Sequence, residues 1–287
     1  MASERMLTAA QVPAGGVDAD AIDAIHLAAG RHDLIVFPEM ANVPYFPVAP
    51  GLHEWLADTL AGQDEESLLS PYRRLARRTG SYVVAGLCLP GPDLTRNAAV
   101  VFDRAGELLP GRGLLSGEVT LSYDKTHLCN VRHYGSVFLE DHYFRAGPEL
   151  VVWDLDFARM GVLICYDRHF PEAWSTLRAN DVGIVAVPTA SPAGTAPTFL
   201  AEMQAMTLQQ SVYAVVANRA GPESLPGIWT TEYLGQSAVF GPDGSVLNVA
   251  GDGLFEQARA PYDTAALDSV RAAMGLATSR RPALYQI

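Results

Sequence analysis

Cys165 is the residue best placed to do chemistry. It follows the short apolar run Met160 to Ile164 and precedes Phe170-Pro171-Glu172. The run reads as a buried strand. A proline with an acid beside it suits the first turn of a helix. The cysteine therefore sits where a strand gives way to a helix, and α/β proteins bind ligands outside the carboxyl ends of their strands. Tyr166, Asp167, Arg168 and His169 follow at once, so a nucleophile here would have polar company. A free cysteine is also a small hydrophobe that closes core strands. The residue alone does not choose between the two roles.

The elements around it recur in an order that places a second candidate. The first half reads as strand 5–11, helix 18–29, strand 33–37, helix 65–78, strand 81–87 and a hairpin over 97–109. The second half reads as strand 159–165, helix 171–179, strand 182–187, helix 198–211, strand 212–217 and a hairpin turning at Gly241-Pro242-Asp243-Gly244. Two such units suggest internal duplication. Sheets apolar on both faces need helices on one side and something apolar on the other. Packing the two against each other gives an α/β fold, a four-layer α-β-β-α sandwich, in a single domain over 1–287 with no polar linker between halves. Glu39 ends the second strand of one half and Cys165 the first strand of the other, on the same rim.

Bulk properties exclude several classes. The net charge of −12 repels a phosphate backbone, so nucleic acid is not an expected partner. No apolar run is long enough to span a bilayer, which excludes a membrane partner of that kind. Three cysteines without CxxC or zinc-type spacing fit a reduced, cytoplasmic compartment. The seven histidines form no HxH, HxxxH or HExxH motif, so no metal site is expected.

The bridge over 111–150 is loop-like but rich in ionisable and aromatic residues, which reads as ordered and functional. It contains Lys125, in Tyr-Asp-Lys-Thr-His-Leu, and Glu140 beside Asp141. Read singly, these are a surface lysine and a solvated acidic pair. Together with Phe37-Pro38-Glu39-Met40 and Ile164-Cys165-Tyr166-Asp167-Arg168-His169-Phe170-Pro171-Glu172 they resemble the nitrilase superfamily of carbon–nitrogen hydrolases. Further matches are Leu139 to Gly147, Val187-Pro188-Thr189-Ala190, Ala217-Asn218-Arg219-Ala220-Gly221 and Arg280-Arg281-Pro282, so the resemblance spans nearly the whole chain.

The resemblance implies a cysteine-dependent hydrolase of non-peptide carbon–nitrogen bonds, with Glu39, Lys125 and Cys165 as a triad and Glu140 beside the lysine. It implies no cofactor and association into a homodimer or larger homo-oligomer. Tyr166-Asp167 after the cysteine resembles the amidase and N-carbamoyl amine hydrolase branches, where nitrile-hydrolysing members have Trp-Glu. A small amide or ureido substrate is the expectation, with Arg168 resembling an arginine that holds a substrate carboxylate. Tyr45, Phe46, Tyr134, Trp174, Trp229 and the Thr189-Ala190-Ser191 loop are candidate pocket walls, with Tyr166 and His127 beside them. The tail from about 260 is expected to dock on a partner subunit. Two rival functions remain, a nitrilase and a non-catalytic binding protein on the same fold. A Cys–His dyad using His127 or His169 is the rival mechanism.

Overall fold

The computed structural model describes residues 4–16, 22, 30–91, 93–133, 136–225, 229–251 and 253–285. Most of the helix expected over 18–29, and Tyr134, lie outside the described residues, as does the side chain of Trp229.

Strand residues alternate between two cores, which is what an apolar run with a period of two produces when both faces are buried. Leu34 and Val36 point into the space between two sheets, while Ile35 and Phe37 face a helical layer. Ile184 and Ala186 in the other sheet point to the same central space, while Val185 and Val187 face the opposite helical layer. The first outer layer is the Glu65–Thr79 helix, which buries Leu68, Leu69, Tyr72, Leu75 and Ala76. The second is formed by the Pro171–Ala179 and Ala196–Gln210 helices, which bury Trp174, Leu177, Phe199 and Met203. The chain is thus a four-layer α-β-β-α sandwich.

The two halves share a topology. Arg5–Pro13, Leu34–Val36 and Tyr82–Leu89 are parallel neighbours, and Arg96–Phe102 adds antiparallel. Arg159–Val162, Ile184–Thr189 and Tyr213–Leu225 repeat the parallel trio, and Ala238–Phe240 adds antiparallel. The sheets are nevertheless joined. The Tyr213–Leu225 strand runs past its own sheet and pairs in parallel with the end of Arg5–Pro13, at Val12↔Arg219 and Pro13↔Ala220.

Some elements differ from expectation. The second arm of the 97–109 hairpin makes only an isolated bridge, Phe102↔Leu108, and the Ser122–Asp124 strand takes that edge instead. A helix, His53–Thr59, follows the proline-rich loop. Glu256–Tyr262 is a strand that pairs with Arg5–Pro13 over seven positions, so the tail begins inside the first sheet. The tail then docks on its own chain. Arg271 donates to the carbonyls of Ser211 and Val182, and Arg280 to Ser175 and Gln210. Among the described residues no helix is long and apolar enough to cross a membrane.

Candidate active site

Glu39 lies just beyond the Leu34–Val36 strand. Phe37 N–H still bonds Val84 O at 2.8 Å, and Ala41 N–H bonds Gly86 O at 2.8 Å, so the chain hugs the neighbouring strand while it turns. Gly86 makes this approach possible, because a Cβ there would lie 2.5 Å from Pro38 O. Met40 has φ +48°, a left-handed conformation costly for a side-chain-bearing residue. Buried Arg219 holds the turn, donating to the carbonyls of Glu39, Met40 and Val43.

Lys125 follows the Ser122–Asp124 strand, with its N–H on Asn97 O at 2.9 Å. Its ammonium is fully buried between two carboxylates, 2.8 Å from Glu39 Oε1 and 2.7 Å from Glu140 Oε1. Glu39 Oε1 also accepts from Asn97 Nδ2 at 2.8 Å. Glu140 opens a short 3-10 turn. Its Oε1 also accepts from the Tyr45 hydroxyl at 2.6 Å, and its Oε2 from Cys129 N–H at 2.7 Å. Burial disfavours the charge on Lys125, but Glu140 and Glu39 outweigh it and hold its pKa well above the ordinary lysine value. Burial pushes Glu140 above the usual carboxylate range, against the pull of Lys125.

Cys165 begins the 3-10 turn Cys165–His169 at φ +47°, on a sharp bend between strand and helix. The first acceptor bond of the turn runs from Asp167 N–H to Ile164 O at 3.0 Å. The N–H groups of Cys165 and Tyr166 precede it and have no acceptor within the turn, as at any helical start. Asp167 fastens the bend. Its Oδ2 accepts from Ile164 N–H at 2.9 Å and the Tyr123 hydroxyl at 2.7 Å, and its Oδ1 from Thr126 Oγ1 and His127 N–H at 2.8 Å each. Burial raises the Cys165 thiol above its ordinary pKa, the Glu39 charge adds to this, and Lys125 and Arg168 oppose it. The resting sulfur is therefore a thiol that needs a base, with a carboxylate in electrostatic reach.

A cavity opens over this sulfur, with about 580 Å³ of empty space when the open solvent at its mouth is included. Tyr45, Cys129, Phe138, Tyr166, Arg168, Ala190 and Ser191 are among the residues that line it. Arg168 is buried. Its Nε faces Glu202 at 3.1 Å, and its Nη1 donates to Cys165 O at 3.1 Å and faces Thr189 Oγ1 at 3.4 Å. Nη2 has no partner among the described residues. Arg168 does not pair with Asp167; its carboxylate is Glu202, which also takes His169 Nδ1.

Other expected residues fall outside the cavity wall. His127 bonds Asp167 through Nδ1 at 2.8 Å and stacks on Phe170, with ring centroids 3.8 Å apart. Thr189 bonds Ser191, faces Arg168 and reaches the Cys165 thiol with its side chain. Trp174 packs in the outer core and donates to Arg168 O, and Phe46 lies behind the cavity wall, in the cluster that also holds Tyr45 and Ala190. Asn97 and Glu202, a lone asparagine in a strand and a helix acid, carry no signal in the sequence by type. Asp167 carries one only through its place in the cysteine motif, which does not reveal that it fastens the bend.

A carboxylate, an ammonium and a thiol within electrostatic reach of one another are groups able to attack an acyl bond. Comparisons with known proteins identify the family. The model of the carbon-nitrogen hydrolase family matches residues 18–268, and the chain belongs to this family. It is 29% identical over 221 residues to a nitrilase of Pyrococcus abyssi, covering 76% of this chain and 72% of that protein. It is 28% identical over 265 residues to omega-amidase NIT2-B of Xenopus laevis, covering 88% and 85%. The structure of a carbon-nitrogen hydrolase from Helicobacter pylori superposes with a TM-score of 0.83 at 20% identity, covering 98% and 97%, which bears on the fold. The protein is an enzyme of the carbon-nitrogen hydrolase family with amidase relatives.

Proposed function

We propose that the chain hydrolyses small linear amides or N-carbamoyl compounds through a thioester on Cys165. The observation that carries this reading is the buried Lys125 ammonium shared by Glu39 and Glu140, set where its charge and that of Glu39 are felt by the Cys165 thiol. Glu39 takes the thiol proton as sulfur attacks the carbonyl carbon, and the carbonyl π pair moves onto oxygen. Lys125 Nζ and the Tyr166 N–H stabilise that oxyanion, each good donor being worth roughly 3–4 kcal/mol. The proton on Glu39 passes to the leaving nitrogen, the C–N bond breaks, and ammonia departs. Water, deprotonated by Glu39, then attacks the thioester and releases the sulfur, which recovers its proton. Glu140 holds Lys125 in place, and Tyr45 holds Glu140.

Tyr166 and Asp167 after the nucleophile favour an amide over a nitrile. Asp167 spends its carboxylate on fastening the bend. Arg168 lines the cavity and its Nη2 has no hydrogen-bond partner among the described residues, which suits a substrate carboxylate. A reactive thiol works in a reducing compartment. Residues 1–287 would act as one domain. Leu284 and Tyr285, 61% and 53% exposed, give the end of the tail an apolar face for a second copy in a homo-oligomer, which light scattering tests.

The test of the main reading is ammonia release from short amides, ureido acids and nitriles, by the wild type and by Cys165→Ala. Amide or ureido turnover lost in the variant, with an unchanged circular dichroism spectrum, is expected. Undiminished turnover in Cys165→Ala removes the proposal, and faster turnover of a nitrile than of its amide replaces it with the nitrilase reading.

A further inference from the structure

Glu39 and Asn97 meet inside the protein, and each keeps one buried oxygen without a hydrogen-bond partner among the described residues: Glu39 Oε2 and Asn97 Oδ1. Buried polar atoms are paired in the great majority of cases, so this asymmetry needs a reason. The other carboxylate oxygen is held twice. Lys125 Nζ and Asn97 Nδ2 both donate to Glu39 Oε1, each at 2.8 Å.

We propose that Asn97 is a positioning residue that makes Oε2 the proton-exchanging oxygen of Glu39, an inference that rests on the reading of Glu39 as the base. A proton arriving on Oε1 would have to displace a charged or an amide donor. On Oε2 it meets neither. The thiol proton of Cys165 therefore goes to Oε2, the sulfur pair goes to the substrate carbon, and Oε1 stays bound to its two donors throughout.

Lys125 alone does not fix this choice, because its ammonium also serves Glu140 and turns about a flexible stem. Asn97 is anchored in the Arg96–Phe102 strand, opposite Cys88, and its own carbonyl receives Lys125 N–H at 2.9 Å. One residue thus sets the main chain of Lys125 and the carboxylate of Glu39 together. The amide cannot be turned round without facing its oxygen toward the carboxylate, so the unpartnered Oδ1 is the consequence of spending Nδ2 on Oε1.

The experiment compares kcat, KM and the pH profile of ammonia release for the wild type, Asn97→Ala and Asn97→Asp, with thermal unfolding in parallel. In Asn97→Ala, kcat is expected to fall about tenfold or more while KM changes less than about threefold. The acid limb should move up by about one pH unit, since an ionised carboxylate that loses a donor binds its proton more tightly. Asn97→Asp keeps the volume if the alanine variant does not fold, and sets a second acid against Glu39, so its limb should move further up. A limb that superimposes on the wild type in a folded variant, or activity that falls only with the folded fraction, overturns the proposal. The carboxyl titration of Glu39, read by infrared difference spectroscopy with Glu39→Gln as the blank, repeats the measurement without turnover. A wild type that releases no ammonia from any amide defeats the functional reading, and the infrared shift then still decides the role of Asn97.

Discussion

Asp167 accepts both N–H groups that His127 presents to it, the main-chain one and ring Nδ1, each at 2.8 Å. Each residue of this pair lies two positions beyond a member of the proposed triad, Cys165 on one side and Lys125 on the other. The contact therefore ties the bend that carries the sulfur to the loop that carries the ammonium. It joins the two halves of the molecule at the point where their chemistry must meet.

Asp167→Asn tests that tie. An amide in this place turns an NH₂ group toward donors, and the Ile164 N–H cannot reverse its role. A buried donor left without an acceptor costs about 1–3 kcal/mol. Urea unfolding is expected to show a loss of that size, and kcat to fall by more than the folded fraction does, because the bend loses its register against the Lys125 loop. Unaltered kcat in a destabilised variant would reduce Asp167 to a stability residue.

Lys125→Met leaves Glu39 and Glu140 facing each other without a cation. Breaking a buried ion pair by removing one partner typically costs 3–5 kcal/mol, and a loss of about that size is expected at pH 7. The penalty should shrink toward pH 5, because burial already raises Glu140 and a proton on it relieves the repulsion. The wild type carries the opposite dependence at high pH. The folded-state pKa of Lys125 is raised, so its contribution is complete below the ordinary value of 10.5 and is lost as pH climbs through the folded value. Denaturation curves from pH 5 to 11 for both proteins check the two signs, and parallel curves contradict them.

The order of strands and helices is legible from hydrophobic period alone where both faces of a strand are buried, as in Leu34–Val36 and Ile184–Thr189. The proposed triad rests on three motifs that occur in order, with the glutamate and the cysteine just beyond strands. The Glu256–Tyr262 strand was hidden because its burial is uneven and Pro261 interrupts it. The His53–Thr59 helix is short and buries little beyond Leu56. The join between the sheets depends on the last part of Tyr213–Leu225 leaving one sheet for another, and no local pattern encodes that. Residues such as Asn97 and Glu202 act by where the fold brings them, so their types predict nothing until the contacts are known.

Arg168 should separate substrates by charge. Its Nε and Nη1 are engaged by Glu202, Cys165 O and Thr189, and Nη2 remains for a ligand. Arg168→Gln is expected to raise KM for an ω-amide or ureido compound bearing a carboxylate by about tenfold or more, a charge-assisted hydrogen bond being worth about 1.5–3 kcal/mol. A neutral amide of similar length should change far less. Equal losses on both would mean that the arginine serves the fold through Glu202 rather than the substrate.

Arg219 and Glu223 form a buried pair, with Nη1 to Oε2 at 2.9 Å and side-chain exposures of 1% and 2%, and most of their remaining side-chain bonds reach the loop that carries Glu39 and Tyr45. Arg219 covers the carbonyls of Glu39 and Val43, at 3.0 and 2.7 Å, and that of Met40. Glu223 Oε1 accepts from Tyr45 N–H at 2.9 Å and the Tyr233 hydroxyl at 3.1 Å. Arg219→Lys keeps the charge but offers a single point in place of a planar fork, so it cannot reach three carbonyls and a carboxylate at once. A buried carbonyl left without its donor costs about 1–3 kcal/mol, so a stability loss of that size or larger is expected. Activity should fall even at temperatures where the variant is fully folded, since Met40 is held at φ +48° by these contacts and relaxes without them. Replacing both residues, with Arg219→Met and Glu223→Gln, removes the stranded charge and should recover much of the stability. It should not recover activity, because the loop would still lack its clamp, and a double variant that regains both would show that the pair matters only as charge.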